Sequence, residues 1–164
     1  MKKGFTLIEL LVMIAVTSII TAALFPIFAK AREKALEKTC ITNQKIIATH
    51  TMMYVQENEE TMPPAGNWAV SIGVQGKILI CPKAVKDEVS YGYNEQVSGL
   101  WLGDILDPVD TILTADATKE IITSIDDIAP RHAGNAIASF VDSHTVIISP
   151  EEIEKFLADF KIRK

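Results

Sequence analysis

Cysteine, histidine and positive charge are all scarce where they would matter most. The 164 residues hold two cysteines and three histidines, so one disulfide, Cys40–Cys81, is the most the chain can form within itself. No serine-nucleophile elbow, phosphate loop or HExxH helix occurs. Residues 46–164 carry nine Lys/Arg against eighteen Asp/Glu, which leaves no basic patch for nucleic acid. The most telling shortage is of charge near the start. From Phe5 to Ala29 the run is almost unbroken apolar, and Glu9 is the one charged side chain in it.

That run follows Lys2 and Lys3. At ~1.5 Å rise per residue it makes a helix of roughly 37 Å, enough to cross a bilayer core of ~30 Å. The two lysines predict a cytoplasmic start and an exported bulk. A secretory signal peptide would have a shorter apolar region with a small-residue cleavage site at its far end. Ala22-Ala23 is the nearest approach to one, yet Leu24, Phe25 and Phe28 carry the apolar run past it. A plain signal anchor explains the lysines and the hydrophobicity. It does not explain Glu9, because a carboxylate inside a membrane-length helix is costly and is kept for a role.

The string Gly4-Phe-Thr-Leu-Ile-Glu9 behind a basic leader resembles the N-terminal signature of type IV prepilins and type II secretion pseudopilins. The resemblance implies cleavage between Gly4 and Phe5 and N-methylation of Phe5 by a prepilin peptidase. It also implies a Glu9 that acts in assembly with other pilins, and an inner-membrane assembly platform as partner. Before assembly the partner is membrane lipid. Pilins often carry a proline at the place of Pro26, where a filament tolerates a stretched helix; an ordinary transmembrane kink is the other reading.

Beyond the apolar run, 30–60 reads as an amphipathic continuation. Ala29 to Lys38 is rich in helix formers, and Leu36, Cys40, Ile47 and Tyr54 recur on one face, with Ile46 and Met53 beside them. Thr61-Met-Pro-Pro-Ala-Gly66 stops the helix. The remaining 61–164 reads as one small β-rich head, since about 110 residues support one modest core. Lys77–Ile80 is a short strand candidate ended by Cys81-Pro82, and Ser90–Asn94 is a strand or loop. Trp68 and Trp101 are expected over the core edge. Thr111–Ala115 is a strand, and Ala136–Val141 with Thr145–Ile148 forms a hairpin whose turn, lacking glycine at Ser143, is expected to be loose. Ser149, Pro150 and Glu152 make a capping box for a last helix with apolar Ile153, Phe156, Leu157 and Phe160. The expected fold is therefore α+β: a long N-terminal helix, its first half transmembrane, packed on a small antiparallel sheet, the lollipop of a pilin. Its parts are leader 1–4, membrane and filament-core helix 5–29, stem 30–60 and head 61–164.

These landmarks resemble a pilin-like subgroup with a C-terminal His-x9-Asp-Gly motif, here His132, Asp142 and Ser143 in place of the glycine. Cys40, Asn43, Lys45, Met53-Tyr54, Pro63-Pro64, Cys81-Pro82 and Ser90–Asn94 extend the likeness. It implies a non-enzymatic filament subunit, pilin or pseudopilin, major or minor, on the cell surface or in the periplasm. A monomeric membrane-anchored ligand-binding or sensory head is the alternative. Arg131, His132, Asp142 and His144 bracket the hairpin and Asp116 precedes it. His132 and His144 are candidates to meet for metal or acid–base chemistry; satisfying buried backbone is the plainer role. Asp104, Asp107 and Asp110 recur every third residue and are calcium candidates, without EF-hand spacing; no other cofactor is expected. Cys40 and Cys81 are a candidate disulfide in an exported head, or two packed thiols.

Overall fold

The computed structural model describes residues 4–85 and 88–158; Lys2, Lys3, Phe160 and the side chains of Phe156 and Leu157 lie outside what it describes. Two compact units divide at Leu36 and Glu37. Helix α1 spans Leu7–Glu57 with Pro26 inside it. It stops where Glu59 and Glu60 take left-handed backbone (φ 54° and 56°), ahead of Pro63-Pro64.

In the first unit the helix is exposed from Leu7 to Ala35. Phe5, Leu7, Ile8, Ile19, Phe25 and Phe28 are among its exposed apolar side chains. Thr17, Ser18 and Thr21 return their hydroxyls to carbonyls one turn back, so the polar residues in the run present no free donor. One helix among the described residues is long and apolar enough to cross a membrane, and it is this one.

In the second unit the rest of α1 packs on a five-stranded sheet of order β3-β1-β2-β4-β5. The strands are β1 Tyr91–Asn94, β2 Ile112–Asp116, β3 Ile121–Ile122, β4 Ala136–Phe140 and β5 Thr145–Ile148. All neighbours run antiparallel except β1 and β3. Between Ile112 and Thr114 the register with β4 shifts. Such a bulge puts consecutive residues on one side: Leu113 joins the core shared with Cys40, Ile47 and Val55 of α1, and Thr114 bonds to Gln44 of the same helix. The other core holds Ile112, Ala115, Phe140, Ile148 and Ile153. Gly92 cannot be larger, because a Cβ there would come within 2.6 Å of the Lys119 carbonyl and 2.8 Å of Ile122. That close approach lets β3 lie beside β1.

The hairpin, β1, β2 and the length of α1 agree with expectation. The last helix, α3 (Pro150–Ala158; the four-residue Trp68–Ser71 is α2), is capped as expected, with Ser149 N–H on Glu152 Oε2 at 2.8 Å. Three readings need correcting. Gly76–Leu79 is a 3-10 turn and no strand forms over Lys77–Ile80; Gly76 enters with φ 66°, and Ile80 is exposed. Trp101 is 47% exposed, lying over Gly103, whereas Trp68 is buried and stacks on Tyr93 at 5.7 Å. Met53, expected beside the packed face of α1, is exposed, while Gln44 and Thr51 are fully buried.

Candidate functional site: the N-terminal segment

Gly4, Phe5 and Thr6 precede α1 and are exposed. A Cβ at Gly4 would meet nothing within 4 Å, so the fold gives no reason for glycine there. Phe5 is 68% exposed. Thr6 is the N-cap: its hydroxyl accepts from Glu9 N–H at 3.4 Å, while Glu9 Oε2 accepts from Thr6 N–H at 2.8 Å and from its hydroxyl at 2.6 Å. This is a reciprocal capping box, worth about 1 kcal/mol to a helix start. The Thr-x-x-Glu spacing of this box is that of Ser149 to Glu152, so it is a local signal in the sequence. Glu9 thus has a partner inside its own chain.

A second polar group lies deep in the head. Asp116 at the end of β2 and His132, both buried, stand 3.4 Å apart through Oδ2 and Nε2. Asp116 Oδ2 also accepts from Ile137 N–H at 2.7 Å. His132 is held by the turn His132–Asn135, closed by both backbone bonds, with Ala133 and Gly134 at positive φ. Cys81 Sγ lies 3.5 Å from His132 Nε2 and 2.6 Å from Cys40 Sγ; the two cysteines are buried and unbonded. The Cys40 contact, helped by His132, holds the Cys81 thiol down at about 4, and the same contact with burial pushes the Cys40 thiol up. Burial pushes Asp116 up to about 7.

His144 belongs elsewhere. It is stacked on Phe140 at 4.3 Å and paired with Asp142 at 2.5 Å, in half-exposed surroundings unlike the buried ones of His132. The expected meeting of the two histidines gives way to this split, because His132 faces Cys81 and Cys40 of α1 and His144 stacks on Phe140 of β4. Arg131 donates to the carbonyls of Ser90 and Val89, both at 2.9 Å. Ser143, in the glycine's place, takes φ 72°, the conformation glycine suits. Asp107 and Asp110 are exposed and Asp104 half-buried. Among the described residues, the His, Cys and acidic side chains whose donor atoms converge in threes are Cys40, Cys81 and His132, so the three aspartates are not brought together.

The stem motif has a structural meaning. Asn43 donates to the Ile80 carbonyl at 3.1 Å and to Tyr91 Oη at 3.3 Å. Gln44 accepts from Thr114 at 2.5 Å and reaches Ser139 and the Ile137 carbonyl. Tyr93 Oη donates to the Pro63 carbonyl at 3.1 Å. These contacts hold α1 and the double-proline turn to the sheet; their sequence signal was a polar residue at a face position, which periodicity discounts.

Residues 1–25 match the family model described as the prokaryotic N-terminal methylation motif. No curated protein and no solved structure matches the chain. The motif supports the type IV pilin and pseudopilin family, whose N-termini are processed as prepilins. That family is structural and is not a known enzyme family.

Proposed function

We propose that the protein is a structural subunit, pilin or pseudopilin, of a type IV pilus-like or type II secretion-type filament. A prepilin peptidase cuts between Gly4 and Phe5 and methylates Phe5. The subunit waits in the inner membrane with its head outside the cytoplasm, then joins other pilins through its N-terminal helix at an assembly platform. One observation carries the reading: the methylation motif covers residues 1–25, on a long apolar helix whose side chains are exposed among the described residues. Glycine at a position where the fold tolerates any side chain supports recognition by a processing enzyme.

A second reading draws on the Thr6–Glu9 box. A carboxylate already capped within its own chain has no need of a neighbour, which favours a membrane-anchored head that never polymerises. Intact-mass analysis of native protein, joined to shearing of surface filaments, separates the two. The filament reading expects loss of Met1–Gly4, a methyl group on Phe5 and recovery of the chain in sheared filaments. Gly4→Leu should leave the full-length precursor in the membrane. Retention of Met1 in wild type sinks the processing step. A processed chain found only as monomer in the membrane hands the case to the anchor.

A further inference from the structure

Assembly through the N-terminal helix makes no use of the buried group formed by Cys40, Cys81, His132 and Asp116. Two chemistries suit paired thiols beside an imidazole and a carboxylate: a bound metal and a disulfide. Thiolates ligating zinc at ~2.3 Å in a tetrahedral site sit roughly 3.8 Å apart, and these sulfurs are at 2.6 Å. A ligating histidine hands its other ring N–H to a partner, but His132 Nδ1 is buried with none. Asp116 spends Oδ2 on Ile137 N–H. The sulfurs need to close by only ~0.6 Å to reach bonding distance.

We propose that Cys40 and Cys81 form a disulfide in the exported protein, with Cys81 as the attacking thiolate and His132 as the group that takes its proton. The proposal rests on the export half of the reading above, since an oxidising compartment is needed for the bond to persist. The oxidant is an organic disulfide, small-molecule or protein-borne. Cys81 thiolate attacks one of its sulfurs; that S–S bond breaks and one half leaves as a thiolate. Cys40 hands its proton to the released thiolate and attacks the Cys81 sulfur, expelling the other half, which takes up the proton held by His132. Two protein thiols are oxidised and one external disulfide becomes two thiols.

The placement suits the order of attack. Cys81 opens a surface turn in which Pro82 and Val85 are exposed, so it is the cysteine next to exposed chain. Cys40 sits within α1 and is fully buried. The groups facing the pair are Tyr91 from β1, Asp116 from β2 and His132 from the turn before β4, with Arg131 acting on Asp116. Asp116 Oδ2 lies 3.4 Å from His132 Nε2, the same nitrogen that faces Cys81. The bond would join α1 to the Cys81 turn across 41 residues of sequence separation.

The first test is intact mass of the full chain, purified from its membrane and alkylated in denaturant before and after reduction. Expected is a mass two hydrogens below the reduced form, no alkylation until reduction, and a peptide joining Cys40 to Cys81. Two thiols alkylated without reductant, or stoichiometric zinc in the native spectrum, overturns it. Leader removal is read in the same spectrum, so failure of the filament reading shows separately. The second test follows reoxidation of the reduced full chain in detergent by glutathione disulfide between pH 6 and 9. A free thiol loses about tenfold in thiolate per unit below its pKa of ~8.5; the wild type should lose less than threefold between pH 8 and 6. His132→Gln leaves the larger Cys40 contact in place and should steepen the profile in part, slowing the reaction at pH 6 relative to wild type and leaving pH 9 unchanged. A steep wild-type profile, or a His132→Gln profile parallel to wild type, overturns the role of His132, and the wild-type arm does not depend on the variant folding.

Discussion

Helix α1 is one element with two opposite chemistries. Before residue 30 it is apolar and wholly exposed; after residue 36 it buries Asn43, Gln44 and Thr51 among its core residues. Helix propensity does not distinguish the two stretches. What differs is what each side chain can find. Among the described residues the apolar side chains of the first stretch are exposed, as they would be on a helix that meets lipid or other helices. The second has a sheet, and uses polar side chains to fix its register there, since a buried amide is tolerable only where partners wait for it. An exposed apolar stretch thus signals outside partners, and a buried polar one signals an internal lock.

The comparison breaks most completely at Glu9. If the first stretch serves a filament, Glu9→Ala should be cleaved and inserted normally yet yield no sheared filament. Removing one side of a buried ion pair with the Phe5 ammonium costs ~3–5 kcal/mol. Glu9→Asp, with shorter reach, should assemble partly. Thr6→Ala sharpens the point: it removes half of the capping box and keeps the carboxylate, a loss of about 1 kcal/mol, and should still assemble. If Glu9→Ala filaments form as in wild type, or Thr6→Ala is as damaging, the carboxylate works as a helix cap and not as an assembly contact.

Next in size is the lock itself. Gln44→Leu takes away the acceptor shared by Thr114 and Ser139 and should lower stability by about 2 kcal/mol. Thr21→Leu, a similar exchange in the exposed stretch, should leave the melting of the head unchanged in detergent. Equal effects from the two would erase the contrast.

A smaller effect is pH-dependent. Asp127 caps the turn at Ser124, accepts from Thr123 and Ser124 N–H at 2.9 and 3.1 Å, and meets Lys119 at 2.5 Å. The Lys119 contact first, then these N–H groups, hold its carboxyl below the usual range. Its contribution is therefore complete above the unfolded pKa of ~3.9 and fades as pH falls through the lower folded value. Asp127→Asn should melt lower than wild type at pH 7, by about 1 kcal/mol, and the gap should close in acid. A gap that widens below pH 4 contradicts that sign.

The smallest change should be a gain. Ser143 pays for left-handed backbone, so Ser143→Gly should raise stability by about 0.5–1 kcal/mol. A loss in chemical denaturation would show that the serine side chain contributes more than the strain costs.

How much of this was legible followed from how local each signal was. The Ser149–Glu152 box, the β4–β5 hairpin and the stop at Pro63-Pro64 are written in adjacent residues, and the structure has them. Lys77–Ile80 misled because a four-residue apolar run lacks the length to set its own period, and Gly76 turned it aside. The two-residue β3 depends on Gly92 thirty residues earlier, too weak a signal to read forward. Asp116, His132, Cys40 and Cys81 come from four separate places, so only folding could assemble them. Thr6–Glu9 is the exception, local and readable, and masked by a more conspicuous reading of the same carboxylate.

That cap bears on what the cut does. Cleavage after Gly4 would leave Phe5 and Thr6 alone ahead of α1, with a new cationic terminus at the helix end that already carries about half a positive charge from its aligned peptide dipoles. Methylation leaves that cation in place. Two like charges would then meet at one tip, in surroundings too poor in water to screen them. Glu9, held at the tip by Thr6, supplies the opposing charge before any neighbour arrives. A processed end would then carry its own counter-charge, and a chain inserted in lipid would need no neighbour to supply one.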